Sequence, residues 1–565
     1  VRLLLAGARV APEIVFRIKP LQCNWIQLFS QPILGTRRRE GKMAAMVDRA
    51  GVTLLEGALV YDHEGDTDQP ALGDILVIGD RIAAVEPGIG TRLRRGEGHP
   101  ALGERGVSRW IDARERMAIP GFVSGHYHSH DVLLRGSFEP VPLDYWLMTA
   151  TPPSYPPRSL EELRVRTLLG AVECLRGGIT TVQDMATIYP YSEDAVRTVL
   201  DAYAEVGIRC IFSMQVVDIT GLDTLPFWKE CVPKEFHQGV KITVEPFRDV
   251  KLPQLLEDVY KAHRDHHPRI TWSLGPSTPE RCTRGLLEAM ADLSRRHGLP
   301  IYTHIYENKA MALAARWKLK QYGGSLVKYL AATGVVGPRV SLAHSVWLLE
   351  SEIDELAANG TNVVLCPASN MKSKSGVAPM REFVDRGVNV ALGTDNCACS
   401  DAQNMFLSMK LFVGLAAVSK FEPGAPYARD ALRAATLGSA RTAGMENQIG
   451  ALKPGMKADL FLVDLTDPSY LPLNSAARQI VFAESGRAVK LVMVDGRVVV
   501  EDGRVTSIDE PALREALNAV MPQLRKDRTR VLEQAQKIYP YILEADRRAW
   551  QEDVGTHRYL GRSPN

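Results

Sequence analysis

The sequence has few cysteines, no long hydrophobic run and almost no excess charge, and each shortage excludes a class of protein. Eight cysteines are scattered through 565 residues, which is typical of reduced thiols in a cytosol and not of a secreted disulfide framework. No apolar run approaches the roughly 20 residues needed to span a bilayer. A formal net charge of +2 gives no reason to expect a nucleic acid or a membrane as partner. We therefore expect a cytoplasmic protein.

The composition, 45% hydrophobic and 24% charged, is that of a folded globular protein, but the chain is too long for one ordinary core. Residues 1–50 do not share the patterns of the rest of the chain. Their opening apolar run is too short and too interrupted for a signal peptide. We expect translation to begin at Met43 or Met46 and the preceding extension to have little order. Residues 506–565 carry a charged helical pattern and are expected to form a tail that packs on the main body or on a partner subunit.

Short strands separated by turns are predicted on both sides of a long middle region, in residues 51–114 and 441–505. The pairs Gly79-Asp80 and Asp495-Gly496 are typical of hairpin turns. Neither side has enough strands to bury a core alone. Pairing of the two sides into one small β-sandwich, with the middle as an insertion, is the simplest arrangement that buries both.

Apolar, strand-like runs alternate with helical patterns between residues 115 and 440, which favours an α/β fold with a parallel sheet covered by helices. The runs are 118–123, 179–184, 209–217, 270–276, 300–304, 340–344, 361–366 and 388–394. The helical stretches include Leu160–Arg176, Glu193–Val206, Pro253–His263, Arg284–His297, Gly324–Thr333 and Glu350–Asn359. Eight such repeats predict a closed (β/α)₈ TIM barrel, which needs roughly 250 residues and carries its chemistry where strands end and loops begin.

Side chains that commonly bind metals follow four of these runs. They are His126 and His128 after the first run, His304 and Glu307 after the fifth, His344 after the sixth and Asp395 after the eighth. The first two share a face, because alternate side chains of an extended segment point the same way. A single such residue is more often a hydrogen-bonded buried polar group. All of them at one mouth of one barrel predict a first-row metal site.

The order and spacing of several motifs extend this pattern over about residues 52–505. The segments are Pro120-Gly-Phe-Val-x-x-His126-x-His128, Arg135-Gly136, His304-x-x-Glu307, Ala343-His344, Pro367-Ala-Ser-Asn370-Met-Lys and Gly393-Thr-Asp395-Asn. Together they resemble the amidohydrolase superfamily, and within it the subgroup of triazine hydrolases and heterocycle deaminases, which includes atrazine chlorohydrolase, guanine deaminase and S-adenosylhomocysteine deaminase. Two segments, Ser373-Lys374 and Cys397-Ala-Cys399, depart from the subgroup's pattern, so the resemblance does not identify the substrate.

The resemblance implies a divalent metal, zinc or alternatively Fe²⁺, with four protein ligands and one position open for water. The implied ligands are His126, His128, His304 and Asp395. Such a metal lowers the pKa of its water from 15.7 to roughly 7. Asp395 would take the water's proton, His344 would hydrogen-bond the attacking oxygen, and Glu307 would deliver a proton to a ring nitrogen or leaving group. The chain must turn directly after His304 for Glu307 to face the same site.

Two-metal members of the superfamily carry a carboxylated lysine at the end of the fourth strand. Here that end is Ser273-Leu-Gly-Pro-Ser277, so we expect one metal per subunit. The loop after the first run is expected either to contact substrate or to pack as an ordinary loop. The candidate substrate contacts are Arg135, Glu139, Tyr145, Trp146 and Asn370. His130 is expected in a loop near the substrate, and Asp184 behind the ligands.

The predicted function is hydrolytic deamination of an amino-substituted N-heterocycle, a small-molecule substrate, because His304-x-x-Glu307 supplies the proton transfer that ring protonation needs. An alternative on the same residues is hydrolysis of an amide, urea, carbamate or chloro-triazine bond, which the sequence barely separates from deamination. A barrel kept only for assembly is disfavoured, since every metal ligand is present. We also expect a homo-oligomer.

Overall fold

A computed structural model of the chain describes residues 51–237 and 251–560. The predicted N-terminal extension 1–50, with its translation start at Met43 or Met46, lies outside the described residues. The described strands are β1 (Val52–Val60), β2 (Ala71–Ile78), β3 (Arg81–Glu86), β4 (Arg109–Asp112), β5 (Arg116–Pro120), β6 (Phe122–His128), β7 (Ile179–Ala186), β8 (Arg209–Val216), β9 (Ile270–Trp272), β10 (Gly275–Pro276), β11 (Ile301–Ile305), β12 (Val340–His344), β13 (Asn362–Leu365), β14 (Val390–Leu392), β15 (Asp395–Asn396), β16 (Leu460–Asp464), β17 (Val489–Val494), β18 (Arg497–Glu501) and β19 (Arg504–Val505).

The described α-helices cover much of the chain between these strands. They are α1 (Ile89–Arg94), α2 (Leu143–Ala150), α3 (Leu160–Arg176), α4 (Glu193–Val206), α5 (Trp228–Cys231), α6 (Leu252–His263), α7 (Arg284–His297), α8 (Lys309–Lys318), α9 (Leu326–Ala332), α10 (Glu350–Asn359), α11 (Pro367–Lys372), α12 (Met380–Asp385), α13 (Cys397–Ser400), α14 (Met405–Ser419), α15 (Ala428–Arg433), α16 (Ser439–Thr442), α17 (Ala476–Phe482) and α18 (Glu510–Gln551). The fold is therefore of mixed α/β content.

Strands from both flanks of the chain lie in one nine-stranded sheet, in the order β19-β18-β17-β16-β5-β1-β2-β3, with β4 beside β1. The two flanks meet where β16 runs antiparallel to β5, with Phe461 opposite Ile119. Leu55, Ile75 and Leu460 belong to one buried cluster on this sheet. The flanks are thus joined by backbone hydrogen bonds and by shared apolar burial.

The strands of the middle region are parallel to their partners. One group has the order β10-β8-β7-β6-β15, with β9 beside β8, and the other has the order β11-β12-β13-β14. A parallel bridge between Leu274 and Ile301 connects the two groups, and only Gly393 and Thr394 separate β14 from β15. The carboxyl ends of these strands therefore share one edge.

The first predicted run, 118–123, is divided between two sheets. Its first part belongs to β5 in the flanking sheet, and its second part begins β6 in the middle region. The division falls at Gly121, where a Cβ atom would lie 2.2 Å from Oγ1 of Thr180. Only glycine allows this close approach. His126 and His128 consequently lie within β6 and not beyond its end.

The long helices begin and end close to their predicted bounds, because capping residues fix their ends. Helices α3, α4, α7 and α10 have the predicted limits. The side chains of Ser159, Ser192 and Thr283 each accept a hydrogen bond from a first-turn backbone N–H, as N-cap residues do. Each of these three helices buries an apolar face.

The C-terminal tail is a 42-residue helix, α18, which contacts α2, α3, α5 and α8. A buried ion pair joins Arg158 to Asp527 at 2.7 Å, and the rings of Tyr145 and Tyr539 lie 4.1 Å apart. The predicted tail therefore packs on the main body. Within the described part of the chain, no helix combines the length and apolar character needed to cross a membrane.

Candidate active site

Three histidines meet at the carboxyl edge of the parallel strands. The Nε2 atoms of His126 and His128 on β6 lie 3.1 Å apart, and Nε2 of His304 on β11 lies 3.3 Å from that of His128. All three side chains are buried. Residues separated by 176 positions thus direct the same ring atom at one point.

Hydrogen bonds to the backbone fix the orientation of two of these rings. Nδ1 of His128 lies 2.7 Å from the carbonyl oxygen of Met185, and Nδ1 of His304 lies 2.6 Å from that of Ser277. Since a carbonyl oxygen only accepts, each Nδ1 carries the proton and each Nε2 presents a lone pair. Burial lowers the pKa of all three histidines, so the rings are neutral, as metal ligands must be.

A carboxylate completes this group. Oδ1 of Asp395 lies 3.4 Å from Nε2 of His126 and 3.6 Å from Nε2 of His128. This oxygen is buried and has no hydrogen-bond partner among the described residues. Burial raises the pKa of Asp395, but the adjacent His126 and the nearby rings of His344 and His128 hold it well below its usual range. A carboxylate oxygen and converging lone pairs a few ångströms apart repel one another unless a cation lies between them, so these residues fit a divalent metal.

The backbone at these positions has unusual conformations. Tyr306, His344 and Asp395 have φ values of 48°, 67° and 59°, in the left-handed region that non-glycine residues rarely adopt. Such strain of order 1–3 kcal/mol per residue is tolerated mainly at functional sites. At Tyr306 it supplies the turn that was expected after His304, and Glu307 consequently faces the same cavity.

Glu307 and His344 form a second pair beside the histidine group. Oε2 of Glu307 lies 3.6 Å from Nε2 of His344, while Nδ1 of His344 is hydrogen-bonded to Oδ1 of Asn370 at 2.8 Å. Burial raises the pKa of Glu307 to about 7, against a smaller opposite effect of His344. The carboxyl group can therefore hold a proton near neutral pH and release it to a bound molecule.

The side chains of His128, His304, Glu307 and His344 line a cavity of about 120 Å³. We call the part of the cavity formed by these four side chains its inner end, and the rest its outer end. Its outer end is lined by residues from loops, from α2 and from α18. The residues of this outer end include Leu143, Asp144, Trp146, Glu280, Arg281 and Ile542.

The predicted substrate contacts separate into two groups. Trp146 lines the cavity, and Asn370 contacts His344. Arg135 forms an ion pair with Glu173, and Glu139 is exposed; neither of these two predicted contacts lines the cavity.

Three further residues, His130, Asp184 and Cys366, lie close to the histidine group. His130, expected in a loop, is buried in the short 3₁₀ helix after β6 and lines the cavity. Asp184 lies behind the ligands, where its carboxylate accepts hydrogen bonds from the Ser129 backbone N–H and the Tyr203 hydroxyl. Cys366 forms a further group with His126 and Asp395 that could hold a metal ion; burial raises its pKa, so it is a neutral thiol.

Sequence reasoning missed several residues of the outer cavity. Glu280 and Arg281 follow the fourth strand segment, β10, so the rule that found the histidines also applies to them. Asp144 lies next to two residues that were considered, Tyr145 and Trp146. Ile542 carried no signal, because nothing in a helical pattern indicates which loop the helix will cover.

Buried imidazoles and carboxylates at the carboxyl edge of parallel strands define the class of metal-dependent α/β hydrolases. Comparison with known proteins is consistent with this class. The model of the Amidohydrolase family matches residues 117–499, more than half of the chain. The chain therefore belongs to the amidohydrolase family, and it is a hydrolase that acts on carbon–nitrogen bonds.

Similar proteins have related activities. A 5'-deoxyadenosine deaminase of Methanothermobacter thermautotrophicus is 32% identical over 414 residues, 73% of this chain and 89% of that protein. A 5-methylthioadenosine/S-adenosylhomocysteine deaminase of Pyrococcus furiosus is 32% identical over 400 residues, 71% of this chain and 87% of that protein. The crystal structure of an adenosine deaminase of Xanthomonas campestris with bound zinc has a TM-score of 0.70 and 26% identity, covering 84% of this chain and 98% of the other. The predicted resemblance to heterocycle deaminases is confirmed.

Proposed function

We propose that this protein is a zinc-dependent aminohydrolase that deaminates an adenine nucleoside or a related 6-amino-purine. One observation carries the proposal: the carboxyl group of Glu307 and the ring of His344 face the same cavity as His128 and His304 of the histidine group. The deaminases of adenine nucleosides among its relatives support this choice of substrate class.

The proposal includes a (β/α)₈ barrel over about residues 115–440. The unbroken series of parallel pairs from β6 to β14, through the bridge at Leu274, and the return pairing of β15 with β6 support a closed barrel. Residues 51–114 and 441–505 would then form the two parts of one β-sandwich, with 506–565 as the tail. A homo-oligomer and a cytoplasmic location stay predictions.

We assign one metal, zinc in preference to Fe²⁺, to His126, His128, His304 and Asp395. The zinc in the similar adenosine deaminase structure supports this assignment. A bound zinc supplies an activated water nucleophile at neutral pH. The carbonyl oxygens of Met185 and Ser277 fix the rings that hold the metal, as neighbours of metal-binding histidines commonly do.

The chain's own residues then move the protons. Glu307 gives its proton to a ring nitrogen, which makes the adjacent amino-bearing carbon more electrophilic. Asp395 takes a proton from the attacking water, and His344 hydrogen-bonds the oxygen that adds to the ring. When the C–N bond breaks, the proton that Asp395 took from water leaves with the amine as ammonia. The proton remaining on the added oxygen returns to Glu307, and the ring keeps the oxygen and the proton on its nitrogen. Overall, one water is consumed for each ammonia released.

Release of ammonia from a panel of amino-heterocycles tests the proposal. The purified, metal-analysed protein is assayed with adenosine, 5'-deoxyadenosine, guanine, cytosine and an aminotriazine. Ammonia from an adenine nucleoside, together with a shift of the purine absorbance, is the expected result. Turnover of an anilide, a urea or a chloro-triazine, with no ammonia from any member of the panel, would favour the alternative hydrolysis and refute deamination.

A further inference from the structure

The C-terminal helix α18 forms part of the cavity wall, although it lies outside the segment that matches the family. The family match ends at residue 499, and α18 begins at Glu510. Ile542 of this helix is fully buried and lines the cavity. Part of the space offered to a substrate is therefore bounded by a segment that the family match does not include.

A contact between two carboxyl groups fixes this part of the helix. Asp546, one turn beyond Ile542, is hydrogen-bonded to Asp144 of α2. Asp144 also accepts a hydrogen bond from Nδ2 of Asn308 at 2.9 Å, and Asn308 directly follows Glu307. Burial raises the pKa of both carboxyl groups, and the neighbouring Asp144 raises that of Asp546 further.

Other contacts hold the helix on the main body. The guanidinium of Arg528 donates to the carbonyl oxygen of Ser137 at 2.7 Å, and Asp527 is paired with Arg158. Near the end of the helix, the ammonium of Lys309 donates to the carbonyl oxygen of Trp550. With anchors on three separate elements, α18 is a fixed wall.

Helix α2 adds apolar side chains to the same lining. Leu143, Trp146, Leu147 and Met148 of α2 line the same cavity as Ile542. An apolar group that packs against these side chains loses its contact with water, and the fit of even one methylene changes binding.

We propose that α18 sets the size of the apolar substituent that a substrate can carry on the side away from its reacting ring. Ile542 is the specificity residue, and Asp546 is a positioning residue that holds Ile542 through Asp144. The inference rests on the proposed function, and it narrows the substrate class to amino-heterocycles with an apolar side group of limited volume.

Two nucleosides with the same ring test it, 5'-deoxyadenosine and the larger 5'-methylthioadenosine. Ile542→Trp is expected to lower kcat/KM for the larger compound about tenfold or more relative to the smaller one. Ile542→Ala is expected to shift the ratio towards the larger compound, and it also covers the case in which the tryptophan variant does not fold. Leu543→Ala is the matched control, because this neighbour is 41% exposed, and its ratio should equal that of the wild type.

Variants of Asp546 separate positioning from general stability. Asp546→Ala removes the contact with Asp144 and is expected to raise KM for the larger compound with little change in kcat, whereas Asp546→Asn keeps a hydrogen bond and restores the wild-type ratio. An equal loss of kcat for both compounds in Asp546→Ala, without rescue by asparagine, would mean a purely structural role and would overturn this assignment.

The outcomes for the two proposals are distinct. If the wild type releases no ammonia from either nucleoside or from the wider panel, the proposed function fails and this inference fails with it. If the wild type is active and both Ile542 variants change the two substrates equally, only the inference about α18 is overturned.

Discussion

The inner and outer ends of the cavity are built in different ways. At the inner end, Nδ1 of His128, His304 and His344 each has an oxygen atom of a neighbouring residue as partner. Only Oδ1 of Asp395, beside the histidine group, has no partner there within the described part of the chain, and it fits a metal. At the outer end, buried polar atoms of Trp146, Glu280 and Arg281 have no hydrogen-bond partner among the described residues. Buried polar groups without partners are uncommon in folded proteins.

The difference separates chemistry from recognition. Side chains that transfer protons or hold a metal must be in place before the substrate arrives, because misplacement raises the barrier. Groups that recognise the substrate can obtain their hydrogen bonds from the substrate itself, and an analogue that lacks those groups leaves them unpaired. Substitutions at the inner end should therefore reduce kcat, and substitutions at the outer end should mainly change KM.

The largest effect is expected from His128→Ala. Loss of one ligand should release the metal and reduce kcat more than about a thousandfold, since the metal supplies several kcal/mol of transition-state stabilisation. Metal content by mass spectrometry of the purified variant, measured alongside kcat, checks this. Dialysis of the wild type against a chelator should have the same effect, reversed by zinc. Full activity in a metal-free preparation would contradict the assignment.

Glu307→Gln sharpens the comparison, because a second buried carboxyl group, Glu280, lies in the same cavity. We expect Glu307→Gln to lower kcat by about a hundredfold to ten-thousandfold without changing the metal content, because the variant cannot transfer a proton to the substrate. Glu280→Gln should alter KM and leave kcat within about threefold. Equal losses of kcat in the two variants would remove the distinction between the ends.

Asn370→Ala is expected to have an intermediate effect. The ring of His344 loses the hydrogen bond that fixes it, so kcat should fall by about tenfold to a hundredfold, as for other residues that orient catalytic histidines. Asn370→Asp retains an acceptor at the same place and should lose less. Steady-state kinetics of both variants test this, with circular dichroism to verify folding. A change in KM with kcat unaltered would mean that Asn370 contributes to substrate binding and not to the orientation of His344.

The smallest effect is expected from Trp146→Phe. This change keeps most of the apolar surface and removes only the buried indole N–H, which has no partner among the described residues. We expect KM to rise by about threefold to tenfold if the substrate supplies that partner, and kcat to stay the same. An unchanged KM for every substrate would show that the N–H does not contact the ligand.

The inner and outer ends of the cavity also differ in how far the sequence predicts them. The histidines of the inner end stand at the ends of apolar runs, so the two-residue period of a strand and the common edge of parallel strands were enough to bring them together. The turn at Tyr306 had to be assumed, because a left-handed residue there has no local signature. The flanking strands and the long helices were also predictable, since their patterns are local.

The outer end depends on tertiary packing that no local pattern contains. Arg135 was a reasonable candidate for substrate contact, yet Glu173 of α3 lies close enough to pair with it. Ile542 reaches the cavity only because α18 packs against α2. A helical pattern predicts which face of a helix is apolar, but not which element that face will contact. The boundary at Gly121 was missed for a similar reason, since the close approach of Thr180 is set by a neighbouring strand.

The antiparallel pairing of β16 with β5 has a consequence for biosynthesis. The strand that carries His126 and His128 continues directly from β5, and β5 is held in register by residues near the other end of the chain. During translation, the ribosome must therefore release residue 464 before that register can be locked. Nascent chains that stop earlier would leave one edge of β5 unpaired, where other chains can attach, so premature termination should yield aggregates instead of partly active enzyme.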